Sequence, residues 1–342
     1  MTDEPFRIGT RGSDLARRQA EGIAARLEDH RLEVELVEVS TRGDRIRDEL
    51  VHRLGRTGAF VRALDERVLD GDLDAAVHSM KDMPTEMPGE LIVAAVPRRA
   101  PAEDVLVTPD GDTLEELPDG ATVGTGSLRR RAQLRAARED LEIIPVRGNV
   151  DTRLEKLLAP HLQEAAADPE DDREAWRADL SPLARDALDR DVETTFDAMV
   201  LATAGLERAG LLDAVGTVTL PRERFVPAPG QGALAVTMRD GPPAERIHRW
   251  LDEPPARVAT TVERTILSQL GGGCIAPIGV HGVVQGDVVA TRVQVLSSEG
   301  EETIEASREL PLASHPGAAR EFADELAEAG AADIIAAATD DD

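Results

Sequence analysis

The chain has 342 residues, with 39 basic against 66 acidic side chains and a formal net charge of −27. At roughly 100 to 200 residues per domain that length predicts two or three domains with real cores, and 41% hydrophobic with 31% charged residues excludes a disordered or fibrous chain. Binding to a phosphate backbone draws on a broadly basic face, which this charge excludes, and at 2% aromatic residues stacking platforms are scarce, so no nucleic-acid partner is expected.

In chain order, the opening MTDEPFRIGT lacks a basic start followed by an apolar run, and no stretch approaches the ~18 apolar residues of a membrane span. A cytoplasmic protein with no membrane partner is therefore expected. Residues 7–10 read as a strand end. Ser13 then sits as an N-cap before a helix with Ala16, Ala20, Ile23 and Leu27 at helical spacing. Strands follow at 34–39, 75–77 and 91–96, with a helix over 59–68. A second unit after 97–101 has strands at 105–108, 121–124, 143–146 and 198–202 and a helix from 128 to about 138. This alternation predicts mostly parallel sheets with helices on their faces. The stretch 168–193 is highly acidic and reads as a solvated helical insertion. Beyond 243, a helix over 256–269, strands at 278–284, 288–295 and 302–309 and a helix over 317–329 predict a small separate α+β domain.

Ligands of such sheets bind in the loops at the carboxyl ends of the strands. Three of these loops carry arginine. GTGSLRRR (124–131) follows a strand and opens a helix with Ser127 as N-cap. Backbone N–H groups and the helix dipole attract an anion there, while Arg129 and Arg130 in the first turn oppose the dipole. A bound carboxylate or phosphate would relieve the conflict. Consecutive helical residues turn by about 100°, so the three arginines cannot serve one site, and Arg131 and Arg135 read as surface charges. Thr10, Arg11, Gly12 and Ser13 repeat the arrangement, as does RGNVDTR at 147–153. Together they suggest a cationic cleft for a small polycarboxylate or phosphate.

HSMKDMP (78–84) reads first as an ion-paired turn closed by Pro84. The alternative places the Asp82 carboxylate among cations, able to stabilise a developing positive charge and relay protons. Cys274 is the single cysteine. It excludes an intramolecular disulfide and a multi-thiolate zinc site, and no metal is expected. A lone cysteine is commonly a small buried hydrophobe, yet Gly271, Gly272 and Gly273 before it would let a bulky group approach the backbone for covalent attachment. Lys81 and Lys156 are the two lysines of the chain. An acidic, lysine-poor surface reads as adaptation to high cytoplasmic salt, where screening mutes repulsion.

The stretches IGTRGSDLARRQA, GAFVRALDERVLDGDLDAAVHSMKDMPTE, VGTGSLRRRAQL, VRGNVDTRL, FDAMVLATAGLERAG, PAPGQGALAV and LGGGCIAPIG, in this order, resemble the hydroxymethylbilane synthase family, also called porphobilinogen deaminase. The resemblance implies two similar doubly wound α/β lobes like those of solute-binding proteins, plus a small C-terminal α+β domain. Domain 1 would span 1–99 and 227–241. Domain 2 would span 100–226, with the acidic insertion at about 160–195, and domain 3 would span 242–342. It implies a dipyrromethane cofactor joined by a thioether to Cys274 and a transferase that polymerises four molecules of its substrate porphobilinogen head to tail, with loss of ammonia. Asp82 would be the catalytic carboxylate. Lys81, Thr125, Ser127, Arg129, Arg130, Arg147 and Gly148 would hold the cofactor, and Arg11, Ser13, Arg153 and Arg208 the substrate. A monomer that hands its product to a tetrapyrrole-cyclising enzyme is expected. Thr57 stands where the family usually has a loop lysine, next to Arg56, and Gly126 replaces a usual serine. The rival reading is a non-catalytic two-lobed binding protein for a small organic anion, which would have no reason to carry a covalent pyrrole on Cys274.

Overall fold

The computed structural model describes residues 4–39, 59–167, 173–273 and 276–340. The expectations for Arg56, Thr57 and Cys274 lie outside the described residues.

The chain opens with β1 (Phe6–Arg11), α1 (Asp14–Glu28), β2 (Val34–Val39), α2 (Ala59–Leu69), β3 (Ala75–Ser79) and β4 (Leu91–Ala95). A second run holds β5 (Asp104–Thr108), β6 (Thr122–Gly124), α3 (Leu128–Ala137), β7 (Glu142–Ile144), α4 (Val150–Ala165), α5 (Arg173–Asp179), α6 (Pro182–Leu188), β8 (Ala198–Ala202), α7 (Thr203–Ala209) and β9 (Gly216–Thr219). The chain then returns through β10 (Leu234–Arg239) and α8 (Pro242–Leu251). It finishes with α9 (Pro254–Gln269), β11 (Ile278–Gln285), β12 (Val288–Leu296), β13 (Thr303–Pro311), α10 (His315–Glu328) and α11 (Ala331–Asp340).

Two five-stranded sheets share one plan, with orders β2-β1-β3-β10-β4 and β7-β6-β8-β5-β9. In each, the first three strands are parallel, and the fourth is antiparallel to both of its neighbours. The expectation of mostly parallel sheets is therefore corrected to mixed ones. Parallel neighbours need a long crossover, usually a helix, within the lobe. β5 and β10 instead arrive from the other lobe along short crossing segments, and so enter without one.

Local chemistry explains the elements that carry the loops. Ser13 Oγ accepts the Ala16 N–H at 3.3 Å, and α1 turns Ala20, Ile23 and Leu27 into the first core. β5 is buried along its whole length, with Leu106 and Val107 fully enclosed, as a central strand covered on both faces must be. The acidic stretch is only partly solvated. α6 starts at a Ser181 cap and buries Leu183, Ala187 and Leu188, and it packs on α4.

The third sheet is an antiparallel meander, β11-β12-β13. Val262 and Ile266 of α9 pack with Val280, Val293 and Phe322 in its core. Among the described residues no helix is long and apolar enough to cross a membrane.

Candidate functional site

The turn after β3 and the loops after β6 and β7 meet across the gap between the two sheets. Burial lowers the pKa of the Lys81 ammonium; Asp82 beside it opposes that, Arg130 and Arg129 of the second lobe reinforce it, and Asp104 offsets part of it. Arg153 at the start of α4 faces the same cluster. Burial and then Arg130 push its guanidinium down to about 10, and Asp82 pulls the other way. Four cations, Lys81, Arg129, Arg130 and Arg153, therefore share one neighbourhood with two carboxylates, Asp82 and Asp104. Crowded like charges that lose their solvation are stabilised by any anion that enters. The cleft can hold carboxylates.

The conflict at the start of α3 is relieved by the chain itself. Arg129 and Arg130 are 3% and 5% exposed, and Asp104 at the start of β5 is fully buried between them. Arg129 Nη2 donates to Asp104 Oδ2 at 2.8 Å, while Arg130 Nε and Nη2 donate to Oδ1 at 3.0 and 2.7 Å. Burial alone would raise the Asp104 pKa, but Arg129 and Arg130 outweigh it and hold the carboxyl well below the usual range. Further donors of the two arginines go to Gln133, the Val226 carbonyl and the Val200 carbonyl. Arg129 Nε is buried without a hydrogen-bond partner. Two guanidinium charges against one carboxylate leave a net positive unit at the floor of the cleft.

The remaining predicted residues occupy the same loop ends. Arg11, half-buried, ends β1, and Ser13 caps α1. Thr125 is buried and its hydroxyl accepts the Ser127 N–H at 3.3 Å, while Ser127 Oγ accepts the Arg130 N–H at 3.5 Å. Gly148 has a φ of +113°, and a Cβ there would lie 2.6 Å from Thr152 Cγ2. Its carbonyl accepts Arg153 Nε at 2.9 Å, and the Arg147 carbonyl accepts Lys156 Nζ at 3.2 Å. A Cβ on Gly126 would stand 2.9 Å from the Val146 carbonyl oxygen, so this chain closes the β6 loop more tightly than a serine would allow. Arg208, within α7, donates to the Gly232 carbonyl at 2.6 Å, and burial lowers its pKa. Of the three glycines before Cys274, Gly271 has a φ of +71° and ends α9, Gly272 packs against Leu267, and Gly273 faces open space.

Several residues of this region had no reading from the sequence. Gln231, on the segment that returns to the first lobe, donates to Asp104 Oδ1 at 2.9 Å and to the Ala102 carbonyl at 2.5 Å. Glu263 of α9 is fully buried and takes both ends of Arg99, at 2.7 and 3.0 Å, with the N–H groups of Gly230 and Gly282. One carboxylate thus joins both crossing segments to the third domain. A signal for it exists: Glu263 lies on the apolar stripe of its helix with Ala259, Ile266 and Leu267, where an acid needs a partner.

Asp104→Asn should destabilise the chain by about 3–5 kcal/mol, because it leaves two buried guanidinium groups without a counter-charge. The shift of the urea unfolding midpoint reads this, and an unchanged midpoint would remove Asp104 from the frame of the site.

The chain matches the family model described as "Porphobilinogen deaminase, dipyromethane cofactor binding domain" over residues 6–167 and 185–246, and the model of the porphobilinogen deaminase C-terminal domain over 258–329. It is 47% identical to a probable porphobilinogen deaminase of Halobacterium salinarum, covering 98% of each chain. It is 37% identical to the porphobilinogen deaminase of Sulfurimonas denitrificans over 97% of this chain and 96% of that one. Among solved structures, a periplasmic substrate-binding protein of an ABC transporter from Coxiella burnetii is similar at 14% identity and a TM-score of 0.37, covering 76% of this chain and 96% of that one.

Proposed function

The chain belongs to the porphobilinogen deaminase family, and we infer from that membership and from the charge of the cleft both the reaction and the residues that carry it. It is a transferase that joins four porphobilinogen molecules head to tail, with loss of ammonia, to give hydroxymethylbilane for tetrapyrrole biosynthesis, and its cofactor is dipyrromethane. A non-catalytic receptor for an organic anion would have no use for a domain that binds this cofactor.

The surplus of positive charge around Lys81, Arg129, Arg130 and Arg153 is the observation that carries the reading. Each pyrrole brings an acetate and a propionate, so a growing chain needs a cleft dense in cations, and planar guanidinium groups pair with carboxylates through two bonds. The residues present fit the cofactor on the same ground. Joined to Cys274 by a thioether, it supplies the pyrrole carbon to which the first substrate is added.

Arg129 and Arg130 spend most of their donors on Asp104 and backbone carbonyls, so they serve the bound carboxylates chiefly through net charge. Lys81, Thr125, Ser127, Arg147 and Gly148 line the cofactor side, and Arg11, Ser13, Arg153 and Arg208 the substrate side. Loss of ammonia from a substrate leaves an electron-poor carbon, and bond formation there puts positive charge on pyrrole nitrogen. The Asp82 carboxylate, exposed at the turn beside Lys81, stabilises that charge and accepts the proton that the attacking ring carbon loses once the bond has formed.

We assign domain 1 to 1–99 with 227–241, domain 2 to 100–226 and domain 3 to 242–342. A cytoplasmic, salt-adapted monomer that passes its product to a cyclising enzyme fits the acidic surface, and the Halobacterium relative supports the salt adaptation. Ammonia release from porphobilinogen by the purified chain tests the reaction. In that assay Arg153→Leu should stall elongation, whereas Arg135→Leu, which removes only a partly exposed pair with Glu299, should be nearly silent. Equal losses would overturn the assignment of the cleft.

A further inference from the structure

The turn that presents Lys81 and Asp82 is held from outside its own lobe. Arg264, near the middle of α9, donates from Nη1 to the carbonyl oxygens of Met80 at 3.3 Å and Met83 at 3.2 Å, and from Nη2 to that of Pro84 at 2.6 Å. Within five residues, three carbonyls converge on one guanidinium. On the first-lobe side the Met80 N–H donates to the Ala233 carbonyl at 3.0 Å, and the Met83 N–H closes the turn on Met80 at 3.2 Å.

Behind the turn is a cleft of about 370 Å3, with Met80, Thr85 and Val96 on one wall and Thr260, Arg264 and Thr265 of α9 on the other. The Met80 and Met83 side chains rest on Val96, Ala233 and Ala256, but across the cleft itself the backbone of the turn has no packed surface, and backbone without such support opens more easily. The guanidinium bridges it. Bonds donated by a charged group are about twice as strong as neutral ones. On the opposite side, Lys81 and Asp82 share charge interactions with Arg129, Arg130 and Arg153 of the second lobe. The backbone of the turn is therefore anchored to the third domain while its side chains serve the cleft. The preceding residue on the anchoring helix, Glu263, holds the crossing segments through Arg99 and the Gly230 N–H.

We propose that Arg264 is a positioning residue for the reaction: by holding the carbonyls of Met80, Met83 and Pro84 it fixes the turn so that the Asp82 carboxylate stays beside Lys81 and Arg153. The proposal rests on the reading of Asp82 as the catalytic carboxylate. It makes the third domain part of the active-site geometry and gives α9 a task separate from the loop that follows it.

The test compares Arg264→Met, Arg264→Lys and Asp82→Asn in the full chain by hydrogen–deuterium exchange and by turnover per cofactor-bearing molecule, the latter counted by intact mass. In Arg264→Met the amides of 80–85 should exchange at least about tenfold faster while β11 to β13 keep their protection, and kcat should fall about 10- to 100-fold with KM within about threefold, as misplacement of a reacting group does. Arg264→Lys keeps the charge but cannot span three carbonyls, so it should lie between parent and Met in both readouts. Asp82→Asn should lose rate with unchanged exchange. Unchanged exchange at 80–85 in Arg264→Met, or faster exchange with undiminished kcat, overturns the proposal. So does a loss of protection throughout the third domain, which would make Arg264 a general structural residue. If Asp82→Asn keeps full turnover, the catalytic reading of Asp82 falls, while the exchange of 80–85 still reports whether Arg264 holds the turn.

Discussion

Asp82→Asn should leave the fold and the covalent cofactor in place and cost at least about a hundred- to a thousandfold in turnover. Removal of one preorganised electrostatic group has that effect on kcat, and a group that also relays protons adds to it. The neutral amide fills the same space in the turn, so the loss isolates the charge. Asp82→Glu retains the charge, displaced by one methylene, and should keep more activity than Asp82→Asn. Single-turnover ammonia release by cofactor-bearing variants with unchanged thermal unfolding measures both. Near-parental turnover in Asp82→Asn would return Asp82 to the ion-paired turn that its neighbours alone suggest.

Cys274→Ser should abolish activity and remove the extra mass of a two-pyrrole unit that the parent carries over its sequence. Serine is nearly isosteric, so folding should survive, and circular dichroism separates that from a general collapse. An unmodified parent with full activity would sink the covalent assignment. The glycines bear on this less than they first suggest. Gly271 is needed to end α9 in the left-handed region and Gly272 to pack against Leu267, so of the three only Gly273 has no structural demand of its own, although Gly271 and Gly273 both face open space.

Short-range patterns were the most legible part of the chain. The strands β2 and β8 lie at the residues that their apolar runs predict, and Ser13 and Ser127 cap the helices that they precede. The mixed pairing is not legible locally: β10, which enters antiparallel between β3 and β4, and β9 follow turn-rich segments and have no predicted strand, while β5 lies where its apolar run predicts but runs antiparallel to β8 and β9, a direction that no local pattern reports. Within the site, the arginine loops stood out because glycine, hydroxyl and arginine recur at strand ends. Their counter-charge did not. Asp104 stands 25 residues before Arg129 at the head of an apolar strand, where an acid reads as a solvated end. Glu263 and Arg264 meet partners 164 and 184 residues away, a separation that no local pattern reports.

The strand order of the first sheet also dictates when it can close during synthesis. β10 lies between β3 and β4, and so a nascent chain that has emerged only as far as Phe225 holds β3 and β4 with no strand to join them. The second sheet draws all its strands from residues 104–219 and is complete by then. Pairings between distant segments form late, and unpaired edges are open to proteases and to other chains in the interval. Limited proteolysis of ribosome-stalled chains ending near Phe225 should therefore spare the second lobe and cut the first. The first lobe to leave the ribosome is thus the later one to fold, and its exposed edges mark the window in which the chain is most open to aggregation.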